Sequence, residues 1–113
     1  MPTVSYTDAM KSMVDDNPQM GVEMLEDAIN ALLEGNTDEG RIHLRAYINA
    51  TLGFAELGRR MNKDSKNIMR SLSPKGNPTA SNLMQIIQAC ATAQDVMIAA
   101  HVTPRQEHAP RPT

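Results

Sequence analysis

Apolar residues recur along much of this chain at three- and four-residue steps, the spacing of one face of a helix. The pattern is clearest where Met20, Met24, Leu25, Ala28, Ile29 and Leu32 form a stripe and Glu23, Glu26 and Asp27 fill the intervening positions. Ahead of it, Asn17 can accept a hydrogen bond from a first-turn amide, and Pro18 loses nothing at the first helical position. Behind it, Gly35-Asn36 tolerates the left-handed conformation that ends a helix. These signals predict an amphipathic helix over residues 18–33.

A second helix is predicted from Thr37, read as its cap, to the closing Gly53, with Asp38 and Glu39 at the positive end of the helix dipole. Ile42, Ala46 and Asn49 lie along one line of it, with Leu44, Ile48 and Leu52 beside that line. A short helix over 54–61 follows, then a turn at Asn62-Lys63 and another short helix from Ser65 to Leu72, capped by Asp64. Gly76-Asn77-Pro78 breaks the chain, and residues 79–91 read as a helix with Leu83, Ile86, Ile87 and Cys90 on its apolar face. Val96, Ile98, Ala100 and Val102 alternate among small or apolar neighbours, a pattern that fits either a short strand or a continued helix. The closing TPRQEHAPRPT has three prolines and no large apolar residue, and reads as a flexible tail. Residues 1–16 show no clear period apart from Met10, Met13 and Val14, and the chain has no internal repeat.

Composition supports the same class. Aromatic residues make up 3% of the 113 positions, while nine methionines supply flexible, unbranched packing material. We therefore expect an all-α domain, with Met20, Met24, Met61, Met69 and Met84 filling core or interface. The division is an acidic extension over 1–36 with its amphipathic helix, a second helical unit over 37–102 and a tail over 103–113. Cys90 is the only cysteine, so neither an intrachain disulfide nor a thiolate zinc site is expected, and it reads as a small buried hydrophobe. His43, His101 and His108 are dispersed. No phosphate loop, nucleophile elbow or HExxH stretch occurs, so neither enzymatic activity nor a cofactor is expected. Without an apolar run of about 18 residues or a signal-like start, the expected location is the cytoplasm, with no membrane partner.

The net charge of −2 hides a division along the chain. Residues 1–40 hold nine acidic side chains and one lysine, net −8, whereas residues 41–80 hold eight basic and two acidic side chains, net +6. Positive charge concentrates in LGRRMNKDSKNIMRSLSPKGNP, residues 57–78, where the two short helices meet. A turn too short for an antiparallel return makes this a helix-turn-helix. Leu57, Met61, Ile68 and Leu72 occupy its packing positions, Gly58 the point of close approach, and Asn62 the position that accepts a positive φ. Lys63 stands where an apolar residue commonly seals the turn, and is expected to bury its stem.

In this geometry the second helix enters the major groove. Ser65, Lys66, Asn67 and Arg70 are the candidate base contacts. Arg59, Arg60, Lys63, Lys75 and Asn77 are the candidate phosphate contacts. One short recognition helix reads few base pairs, so a homodimer is expected.

The stretches AELGRRMN, NIMRSLSPKGNPTASNLMQIIQA and DAINALLEGNTDEGRIHLRAYINA resemble the addiction-module antidote family over roughly residues 17–91. These are small proteins with a Cro/lambda-repressor-like helix-turn-helix, encoded beside toxins of the RelE/ParE and HigB group, and related phage DNA-binding proteins share the pattern. The most specific piece is Leu72-Ser73-Pro74-Lys75-Gly76-Asn77-Pro78. The resemblance implies a regulator that binds double-stranded DNA at its own promoter, and an antitoxin that neutralises a small basic toxin. Asn62 and Lys63 depart from the family's usual glycine and apolar residue, and residues 92–113 lack its Leu-Gly-Leu ending.

Under that resemblance Met24, Glu26, Ile29 and Leu32 become candidate toxin contacts, on a helix with one apolar and one acidic face. The acidic residues equally suit solvated faces that oppose nonspecific attachment to nucleic acid. A rival from another class is an interaction module, or a phage regulator without a toxin partner, that keeps the helix-turn-helix fold.

Overall fold

The computed structural model describes residues 5–105 and is all-α among them. Six helices follow in order: α1 Tyr6–Asp16, α2 Pro18–Leu33, α3 Thr37–Ala50, α4 Gly53–Met61, α5 Ser65–Ser71 and α6 Ala80–Gln94. No strand occurs among the described residues.

The apolar stripes of α2 to α6 meet in a single core. Leu25 and Ala28 of α2 join Leu44, Tyr47 and Ile48 of α3, Phe54 and Leu57 of α4, Ile68 of α5, the following Leu72, and Ile86, Ile87 and Cys90 of α6. The α2–α3 pair has the most extensive contact of any two helices. The core is built almost wholly from aliphatic side chains, and the fully buried Tyr47 donates its hydroxyl to Gln94 Oε1 at its edge. A buried phenol with an acceptor satisfies its own polar group. Burial, and secondarily the nearby Cys90, push the Tyr47 pKa up to about 12, and burial alone pushes the Cys90 thiol up to about 12.

α1 was not legible in the apolar pattern, because it buries a single residue, Val14. It lies against α3 and α2, and one polar contact fastens it to the residue after α3. Ser5 Oγ accepts from the Asp8 amide at 3.0 Å as an N-cap, and the Lys11 ammonium donates to the Thr51 carbonyl at 2.7 Å.

Other expectations need correction. Asn17 makes no side-chain cap on α2, and α3 starts one residue early, with Thr37 inside the helix and Asn36 at a cap without a side-chain hydrogen bond. Ile42 is 61% exposed and Ala46 and Asn49 are half-buried, so α3 turns the Leu44 and Ile48 line inward and leaves the Ile42 line at the margin. Gly53, with φ +80, opens α4 where we expected it to close α3. Residues 96–105 are neither strand nor helix. The helix stops because Asp95 takes the left-handed conformation (φ 58), its amide donating to Ala91 and Thr92. Val96 then packs against the core, while Met97 and Val102 remain exposed. Of the predicted 103–113 tail, residues 106–113 lie outside the described residues, as does His108.

Candidate nucleic-acid interface

The junction of α4 and α5 depends on the absence of one side chain. Gly58 is buried, and a Cβ built on it would lie 2.7 Å from the Lys63 carbonyl oxygen and 3.1 Å from the Ser65 nitrogen. Only glycine lets α4 press this closely on the start of α5. Asn62 supplies the reversal with φ 57 and ψ 45. Asparagine is among the few side chains that enter this left-handed region readily. The Lys63 amide then closes back onto the Gly58 carbonyl at 2.9 Å. Asp64 starts the next helix in extended conformation, its carboxylate accepting from the Lys66 amide at 2.9 Å.

Ile68 and Leu72 anchor α5 to the core at 4% and 1% exposure. On the opposite side Lys66, Asn67 and Arg70 are exposed; Met69 at the flank is 38% exposed, and Ser65 is half-buried at the crossing with Gly58. The Arg70 guanidinium donates to Asn67 Oδ1 at 2.8 Å, so these two candidate base contacts form one unit. Such a unit presents remaining guanidinium and amide donors from a partly ordered side chain.

Beyond α5 the chain packs tightly against the helix that it leaves. A Cβ on Gly76 would fall inside the van der Waals shell of the Ser71 and Arg70 carbonyls, so the loop lies directly on the end of α5. Asn67, Arg70, Ser71, Ser73, Lys75 and Gly76 line an open hollow there, with Lys75 exposed at its rim. Asn77 is exposed one residue later. Thr79 Oγ1 caps α6 by accepting from the Asn82 amide at 3.0 Å.

The other candidate phosphate contacts are not equally free. Glu56 accepts from both Arg59 and Arg60 on α4, the Arg60 Nε at 2.9 Å. Hydrogen bonding chiefly from Arg59, with Arg60 adding, holds its carboxyl below the ordinary glutamate range. One carboxylate therefore offsets part of the charge that two arginines bring to this face. Lys63 is exposed rather than folded over the turn, and its ammonium donates to Gln85 Oε1 on α6 at 3.2 Å. Glu56 and Gln85 were not singled out from the sequence. Glu56 stands three and four residues before its arginines, a spacing that favours such pairs.

Not all of the basic middle belongs to this face. Arg41 on α3 is 8% exposed and pairs with Asp38 at 2.6 Å, its Nε without a partner among the described residues. Arg45 on the same helix is half-buried. The six remaining basic side chains, Arg59, Arg60, Lys63, Lys66, Arg70 and Lys75, are exposed along α4, α5 and the loop after it.

All nine acidic residues of the first forty positions are exposed, and among the described residues only Asp38 of these takes part in an ion pair. Of the candidate toxin contacts, Met24, Ile29 and Leu32 are half-buried and packed on the core, whereas Glu26 points to solvent. The apolar residue that α2 does expose is Leu33, at 75%. Met20, Met24 and Met61 are partly buried, as filler residues should be, but Met69 and Met84 are 38% and 55% exposed.

Cys90 is buried, as a small hydrophobe would be. His43 and His101 are exposed, and no group of three potential metal ligands occurs among the described residues. No helix among them is long and apolar enough to cross a membrane. No family model matches the chain, and neither a curated protein nor a solved structure matches it.

Proposed function

We propose that this protein is a sequence-specific DNA-binding regulator that inserts α5 into the major groove as a homodimer. The observation that carries this reading is the α4–α5 junction. A glycine-dependent crossing and a left-handed Asn62 hold a short helix by Ile68 and Leu72, leaving Lys66, Asn67 and Arg70 outward beside exposed Lys63 and Lys75. Positive charge gathered at one tight helical corner, on a chain of net charge −2, suits a polyanion with a groove. Lys66 and the Asn67–Arg70 unit would meet base edges, and Lys63, Lys75 and the Glu56-held arginines would meet phosphates. Selection from a random-sequence DNA pool by the full-length protein tests the reading: a shared motif among the recovered duplexes supports it, and an unenriched pool defeats it.

The resemblance to addiction-module antidotes adds an antitoxin role, in which the chain represses its own promoter and holds a basic toxin. The exposed, mostly unpaired carboxylates of α1, α2 and the start of α3 favour a basic protein partner, since such a surface speeds encounter and excludes acidic competitors. Leu33 is the apolar contact best placed for it, because changing Met24, Ile29 or Leu32 would also disturb the core. Co-expression with a neighbouring small basic protein tests this role. Rescue of growth that is lost on Leu33→Asp supports it, and no effect of the chain on growth opposes it.

A further inference from the structure

We infer that Met69 reads a thymine methyl group in the major groove, an assignment that rests on the DNA-binding reading of α5. Met69 is 38% exposed although Ile68 before it and Leu72 after it are buried at 4% and 1%. It stands one turn after Lys66, three residues away on the same helix, at the margin between the buried Ile68 and Leu72 side and the exposed side. The neighbouring guanidinium does not need Met69 for support, because Arg70 is held by Asn67. The exposed face is thus polar at Lys66, Asn67 and Arg70, with one apolar side chain at its flank beside Lys66.

Base edges in the major groove present this same mixture. Guanine and adenine offer hydrogen-bonding atoms, while thymine alone adds an apolar methyl at its edge. An unbranched thioether reaches across irregular surfaces and packs against a methyl without a fixed geometry. Lys66 and the Asn67–Arg70 unit would fix the hydrogen-bonded bases, and Met69 would select thymine at a position beside them. Burying one methyl-sized group corresponds to roughly a fourfold gain in affinity, from about 0.8 kcal/mol.

The test uses a duplex that the full-length protein selects from a random-sequence pool, with each thymine replaced in turn by uracil, which lacks only that methyl. Binding is followed by fluorescence anisotropy for the wild type, Met69→Ala and Met69→Leu. The expected result is one thymine per half-site whose replacement weakens the wild type about fourfold, leaves Met69→Ala unaffected, and still weakens Met69→Leu. Uracil profiles that are flat for the wild type, or identical for the wild type and Met69→Ala, overturn the assignment while leaving DNA binding standing. A protein that selects no duplex overturns both.

Discussion

The backbone of Gly58 passes so close to the carbonyl oxygen of Lys63 that a Cβ would stand 2.7 Å from it. The crowding partner is backbone, not the end of a flexible side chain, so it cannot swing aside. Gly58→Ala should therefore destabilise the fold by about 1–3 kcal/mol, the cost of forcing extra volume into a packed junction. Urea denaturation followed by circular dichroism checks it. Asn62→Gly should leave stability nearly unchanged, whereas Asn62→Val should cost more than about 1 kcal/mol, because a β-branched residue resists φ 57.

Glu56 holds Arg59 and Arg60 together, and this pairing lowers the net positive charge of α4. Glu56→Gln removes the carboxylate and keeps a similar shape. Nonspecific DNA binding should strengthen several-fold at low salt, with a steeper dependence on salt concentration. Titration of a scrambled duplex at several salt concentrations measures both. Unchanged affinity and slope would mean that α4 does not lie along the DNA backbone.

Burial raises the pKa of Cys90 from 9.0 and that of Tyr47 from 10.0, each to about 12. A folded-state pKa above the unfolded value stabilises the native state fully below the unfolded pKa and less as pH rises toward the folded one. The fold should thus lose stability between about pH 9 and pH 12, as the unfolded chain ionises first. Urea midpoints measured across that range should fall, and Cys90→Ala should flatten the first part of the decline. At neutral pH a thiol reagent should label Cys90 no faster than the protein opens.

Arg41 is a buried charge that, among the described residues, has no partner for its Nε and a single ion pair, with a carboxylate 87% exposed to solvent. Arg41→Met keeps most of the stem and removes the desolvated charge. Its stability should equal or exceed that of the wild type by up to about 2 kcal/mol, as replacements of buried ionic groups often show. DNA binding should not change, because Arg41 lies outside the α4–α5 face. Thermal unfolding and a DNA titration on the same variant separate the two effects.

The parts legible in the sequence were those with strong local signals. The stripe from Met20 to Leu32, the Asp64 cap and the Gly58-Asn62 junction each carry a residue type whose physics admits few alternatives, and each has its expected place in the fold. α1 left little trace because one buried Val14 makes no period, and a lysine bonding a carbonyl forty residues away has no sequence signature. Ile42 misled because exposed apolar residues are ordinary at a surface. The alternation after Asp95 misled because no neighbouring strand exists to pair with it among the described residues. At the candidate site, residue types were readable, but the tying of Arg70 to Asn67 and of Arg59 and Arg60 to Glu56 depends on side-chain geometry.

The central claim is that α5 distinguishes DNA sequences. Its most direct test compares the wild type with a Lys66→Ala/Arg70→Ala variant on a selected and a scrambled duplex, each at two salt concentrations. The wild type should prefer the selected duplex, and the variant should lose about 1–3 kcal/mol per base contact there. Both proteins should bind the scrambled duplex weakly and lose that binding with salt. A variant that retains the full preference of the wild type would contradict the assignment of α5 as the reading helix.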